Sequence, residues 1–109
     1  MKRAVNQPAG RLFLYGGIYL REIATADAGT LIPQHRHRWS HLSYLAAGAV
    51  RVWRDDELLG DFTAPDAIRI AAGAAHRFLT LEPDTLMLCV HASDVVDIDA
   101  EPALLELED

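Results

Sequence analysis

The sequence predicts an all-β domain, a sandwich, barrel or jelly roll, and three observations carry that reading. Short apolar runs recur about every 8–12 residues, turn-forming residues separate them, and almost none shows a helical period. At 109 residues, 50% of them apolar and 24% charged, the chain has room for one core and would bury about 60–70% of its unfolded surface.

Each element has its own signal. Leu12–Tyr15 and Ile18–Ile23 are expected strands joined at Gly16-Gly17, and Thr30–His37 is a third after the turn-like Asp27-Ala28-Gly29. His41–Ala47 follows and stops at Gly48, and Ala49–Arg54 resumes. Asp55-Asp56-Glu57 forms a polar hairpin tip leading into Leu58-Leu59. Ile68 and Ile70 mark the next strand, and the small-residue turn Ala71-Ala72-Gly73-Ala74-Ala75 leads into His76–Leu81. Glu82-Pro83-Asp84 is a tight turn before Thr85–His91. The helix candidate is Pro102–Leu107, with proline near its first turn and a length short enough to fray.

Residues 1–93 are expected to form one barrel, N-terminal strands included, and residues 94–109 an acidic arm of the same domain. The arm holds seven of the sixteen acids and no Lys or Arg, which leaves the body at a net charge of +1. The body's cations are scattered and do not interleave with aromatics, so nucleic acid is not an expected partner. No run of eighteen apolar residues occurs, which argues against a membrane-spanning helix. The start, Met1-Lys2-Arg3 and then Leu12–Leu20, faintly resembles a secretion signal. Asn6-Gln7-Pro8, Arg11 and two glycines interrupt it, and early strands are the better reading. A single cysteine, Cys89, excludes an internal disulfide and favours the cytoplasm.

Chemistry concentrates in the histidines. A lone strand histidine is ordinarily solvated or hydrogen-bonded, but His35, His37 and His41 share one parity within seven positions. Residues two apart in a strand lie about 6–7 Å apart on one face. Burying three imidazoles there without a metal requires a separate partner for each, so a divalent metal is expected, and neutral imidazole suits Zn, Fe, Ni, Cu and, less well, Mn. His76 follows Gly73-Ala74-Ala75 at the start of another strand.

These residues resemble the cupin superfamily, whose first motif is G-x5-H-x-H-x3-E-x6-G. Gly29, His35, His37, His41 and Gly48 keep every spacing, with His41 where the family usually has Glu. The second motif, G-x5-P-x-G-x2-H-x3-N, is matched in spacing by Pro65, Ala71, Gly73, His76 and Thr80, and only Gly73 and His76 keep the residue type. The resemblance spans residues 29–80 and implies a cupin double-stranded β-helix, or jelly-roll barrel. It also implies His35, His37 and His76 as metal ligands, with His41 at the carboxylate ligand's position.

Four neutral imidazoles would leave a dication its full charge, favouring bound hydroxide or an anionic substrate. An octahedral ion would keep two open positions, whereas tetrahedral Zn would be saturated and structural. The function implied is a small metalloenzyme, oxygenase- or isomerase-like, acting on a small oxygen-rich or anionic molecule with Fe, Mn or Ni, Zn being the further option. The alternatives are a metal-dependent binding or sensor module and a metal-free ligand-binding barrel.

Parity sketches the interior. If His76 points inward, so do Phe78 and Thr80; if His41 does, so do Ser43, Leu45 and Ala47, leaving Leu42 and Tyr44 outside. Both phases are apolar, so both faces need cover, and a homodimer through the outer face is expected. For Thr85–His91 either parity is open. The plain reading makes His91 a strand-end surface histidine and Cys89 a small core residue; the other makes His91 an acid–base or supporting group at the rim. Trp39 and Trp53 either pack or line a pocket mouth. Arg36 and Arg38 alternate with the histidines and face away. Gly-rich phosphate loops, G-x-S-x-G, C-x-x-C and H-E-x-x-H are not present.

Overall fold

Nine strands form where the apolar runs lie: β1 Leu12–Tyr15, β2 Ile18–Thr25, β3 Leu31–Pro33, β4 His41–Ala47, β5 Ala49–Arg54, β6 Glu57–Thr63, β7 Asp66–Ile70, β8 His76–Thr80 and β9 Thr85–Ala92. The structure is a computed structural model that describes residues 9–33 and 40–92. His35, His37, Arg36, Arg38 and Trp39, the expected helix Pro102–Leu107 and the acidic arm lie outside the described residues.

The strands pair antiparallel in two sheets, one ordered β1-β2-β9-β4-β7 and the other β3-β8-β5-β6. Only β1–β2 and β5–β6 stay within one sheet; every other pair of consecutive strands changes sheet, which wraps the two sheets around a shared interior. Ile23, Ile32, Leu45, Val50, Val52, Ile68, Phe78 and Met87 fill that interior. The alternation expected from parity is observed. His76, Phe78 and Thr80 are buried while Arg77 is exposed, and His41, Ser43 and Leu45 are buried while Leu42 and Tyr44 are exposed. Ala47 is only partly buried, because a bulge between Leu45 and Ala47 shifts the register with β9.

Boundaries differ where side chains compete with the ladder. Thr30 precedes β3 rather than opening it: its amide donates to Thr80 Oγ1 at 2.8 Å and its hydroxyl to the Asp27 carbonyl at 2.8 Å. The β5–β6 tip is two residues, Asp55 and Asp56, with φ of 47° and 69°, the left-handed pair of a primed hairpin turn, and Glu57 already belongs to β6.

The two ends of the barrel differ in chemistry. At one end Thr25, Thr30, Thr80 and Thr85 are buried and satisfied: Thr25 Oγ1 donates to the Thr85 carbonyl, Thr80 Oγ1 to the Asp27 carbonyl and Thr85 Oγ1 to the Glu82 carbonyl, at 3.3, 3.0 and 2.9 Å. Gly48 belongs to this plug. Its φ is +84°, and a Cβ there would sit 2.2 Å from Thr85 Oγ1 and 2.8 Å from Thr85 Cα, so glycine is the residue that lets β4 turn into β5 against β9. The other end carries the histidines. Among the described residues no helix is long and apolar enough to cross a membrane.

Candidate functional site

Register brings the described histidines to one end of the barrel. His41 opens β4 opposite Ile70, the last residue of β7, and His76 opens β8 after the five-residue β7–β8 turn. His91 lies near the end of β9, opposite Tyr19. The turn is held at both sides: the Ala72 amide donates to Ser40 Oγ at 3.0 Å and the Ala75 amide to Asp55 Oδ1 at 3.1 Å. The Asp55 amide returns a bond to the Ala75 carbonyl at 2.8 Å. A strained hairpin tip thus clamps the residue before His76.

His41 and His76 are buried, at 8% and 2% exposure. Among the described residues no hydrogen-bond partner reaches His76 Nδ1, which is buried. Burial pushes the His76 imidazolium pKa below its ordinary value; the Ala74 backbone and Asp55 oppose this, while Arg54 reinforces it. Neutral imidazole, with a nitrogen lone pair unengaged by protein, is the form that binds a metal.

The two buried histidines line separate cavities. His76 borders one of about 240 Å³ with Pro33, Trp53, Asp55 and Arg77. His41 borders another of about 530 Å³ with Ser40, Ile70, Ala71 and Val90. Pro33 in the first and Ser40 in the second are the described residues that bracket 34–39. Among the described residues no three His, Cys, Asp or Glu side chains gather as a metal group. Of the four expected ligands, His41 and His76 are therefore placed inward at the same end, and His35 and His37 lie outside the described residues.

The open parity of β9 resolves. Thr85, Met87 and Cys89 are buried, while Leu86, Leu88 and Val90 lie on the outer side and are partly buried. His91 shares the inward parity at the end of β9 and is partly buried. Its ring stacks on Tyr19 with centroids 4.2 Å apart and meets His41 edge-on at 6.0 Å. His91 Nδ1 lies 2.9 Å from the Ala92 carbonyl. A carbonyl only accepts, so Nδ1 is the donor in this bond. Cys89 contacts Ser43 Oγ at 3.5 Å within the core. Trp53 lines the His76 cavity, with the Arg77 guanidinium 5.1 Å from its ring centroid.

Comparison with solved structures gives the fold. KdgF from Halomonas sp. superposes with a TM-score of 0.69 at 19% identity, over 84% of this chain and 82% of that one. An RmlC-like cupin with a double-stranded β-helix fold from Methanocaldococcus jannaschii gives 0.65 at 13%, over 84% and 85%. The DMSP lyase DddQ from Ruegeria pomeroyi gives 0.69 at 14%, over 84% of this chain and 49% of that one. No protein-family profile and no curated protein sequence matches the chain.

Proposed function

This chain has the cupin double-stranded β-helix fold, and on that premise we propose that it is a small metal-binding cupin acting on a small oxygen-rich or anionic molecule. His35, His37, His41 and His76 would hold a divalent ion, Fe, Mn or Ni in a catalyst and Zn as the further option. One observation carries the reading: His76 is buried facing inward, neutral by desolvation, with its Nδ1 unpartnered among the described residues. Such a nitrogen costs stability unless something occupies it, and a metal is the occupant that the donor set fits.

When bound, the ion would supply Lewis acidity at its open positions. The chain's own residues do the rest. Tyr19 offers an aromatic wall on the inner face, with the His91 ring stacked on it and meeting His41 edge-on. The proposed enzyme is oxygenase- or isomerase-like, and the alternative is a metal-dependent binding or sensor module without turnover.

The test is metal content per chain in untagged protein from its native host, followed by turnover assays with oxygen and candidate diols or carboxylates. Less than about a tenth of an equivalent, even after reloading, would overturn the metal reading. We also infer a homodimer through the outer face of the five-stranded sheet, where Leu42 and Tyr44 are exposed next to Leu88 and Val90. The single buried thiol, Cys89, suits a reducing compartment, so the cytoplasm is the proposed location.

A further inference from the structure

β2 carries an arginine on the barrel's inner face. Tyr19, Ile23 and Thr25 are buried at 3%, 1% and 2% exposure, and Arg21 shares their parity and is partly buried. It pairs across the ladder with Cys89, which in turn pairs with Ser43. That row lies one inward step below the Tyr19–His91 pair and His41, so Arg21 and His91 are diagonal neighbours, about 7–8 Å apart and within reach of a long side chain. Arg21 Nε is buried and has no hydrogen-bond partner among the described residues.

Among the described residues the surrounding wall supplies no counter-charge. Among the described residues, the inward positions near Arg21 are Tyr19, Ile23, Cys89, Ser43, His41 and His91. The adjacent acid, Glu22, has the opposite parity and is engaged by Arg11 at 2.8 Å. A guanidinium is charged at any pH the protein meets, and its planar fork matches a carboxylate through two parallel hydrogen bonds. Other arginines on the barrel illustrate the contrast: Arg11, Arg51 and Arg77 each have a carboxylate partner at the surface.

We propose that Arg21 anchors a small carboxylate-bearing ligand against the layer formed by Tyr19, His91 and His41. The inference rests on the reading of this end of the barrel as a small-molecule site, and it narrows the ligand class to carboxylates. Arg21 fixes the ligand's anionic end by its two donors, and the stacked Tyr19–His91 pair bounds the remainder. The proposed chemistry of the histidines then acts on a substrate already oriented from β2.

The test uses full-length ¹⁵N-labelled protein, zinc-loaded and zinc-free, titrated with malonate and benzoate and with the corresponding amides, malonamide and benzamide. The expected result is a shift of the Arg21 Nε–Hε resonance by the carboxylates and not by the amides. Arg21→Gln should raise the dissociation constant at least tenfold, Arg21→Lys should restore part of the loss, and zinc content should not change. An undisturbed Arg21 resonance, equal binding of amide and acid, or undiminished affinity in Arg21→Gln would overturn the proposal. Should wild-type protein bind none of zinc, iron, manganese or nickel while carboxylates still require Arg21, the metal reading falls and this one stands.

Discussion

At the scale of single residues, two positions decide what each end of the barrel does. Gly48 holds a left-handed backbone pressed against Thr85. Gly48→Ala should lose about 3 kcal/mol, from left-handed strain of roughly 1–2 kcal/mol and overpacking of roughly 1–3 kcal/mol. Thermal melting should show that as a fall of at least 10 °C, roughly. His76 acts through its proton. Its folded pKa is depressed, mainly by burial, so below the ordinary histidine value of 6.5 the unfolded chain takes up a proton that the folded one resists. Metal-free stability is therefore fully present above that value and declines as pH falls through it toward the folded pKa. Denaturant titrations in chelator between about pH 7.5 and 5 should show this slope, and His76→Gln should flatten it. An equal slope in the variant would remove His76 as its source.

The residues also show what sequence can and cannot disclose. The parities of His41 and His76 could be posed only as conditionals, since both phases of their strands are apolar, and the burial of Ser43, Leu45, Phe78 and Thr80 decides them. That of His91 was open too, since both faces of Thr85–His91 are apolar and only pairing with β2 and β4 decides between them. Arg21 read as one more scattered cation for the same reason: its inward place is set by Tyr19 and Ile23 on a strand whose apolar pattern alone is ambiguous.

At the scale of elements, the β5–β6 tip and the β7–β8 turn work as one piece. Asp55, in left-handed geometry, holds the Ala75 amide and carbonyl and so fixes where β8 begins. Asp55→Ala removes the acceptor of the Ala75 amide and a residue tolerant of that backbone; the expected cost is about 1–2 kcal/mol. Losing the support behind a ligand should also weaken metal binding by roughly 10-fold or more. Competition with a chromogenic chelator measures the second effect, and unchanged affinity would limit Asp55 to stability. Sequence placed both turns by their composition, and the bounds of His41–Ala47 and Ala49–Arg54 were foreseen. Their mutual clamp was not foreseeable, because it joins residues twenty apart through a backbone amide that any residue offers.

For the whole molecule, buried threonines plug one end of the barrel and the described histidines gather at the other, where the ion is proposed. A metal held there binds the native state and not the unfolded chain, so it stabilises by mass action. At a free concentration 100 times the dissociation constant the gain is about 2.7 kcal/mol, which should raise the melting midpoint by roughly 10 °C. Removing the ion with chelator should reverse it. The exposed outer face makes a second whole-molecule prediction. Leu42→Lys with Tyr44→Glu should convert the proposed dimer into a monomer in sedimentation velocity while the circular dichroism spectrum is retained, since both side chains lie outside the core.

β9 lies at the centre of the five-stranded sheet, with β2 on one side and β4 on the other. During synthesis both of those neighbours leave the ribosome long before their shared partner exists. Until Thr85–Ala92 is made, the nascent chain presents two open strand edges and an apolar interior to its surroundings. Its protection from aggregation in that interval must come from chaperones or from speed of translation, not from the fold.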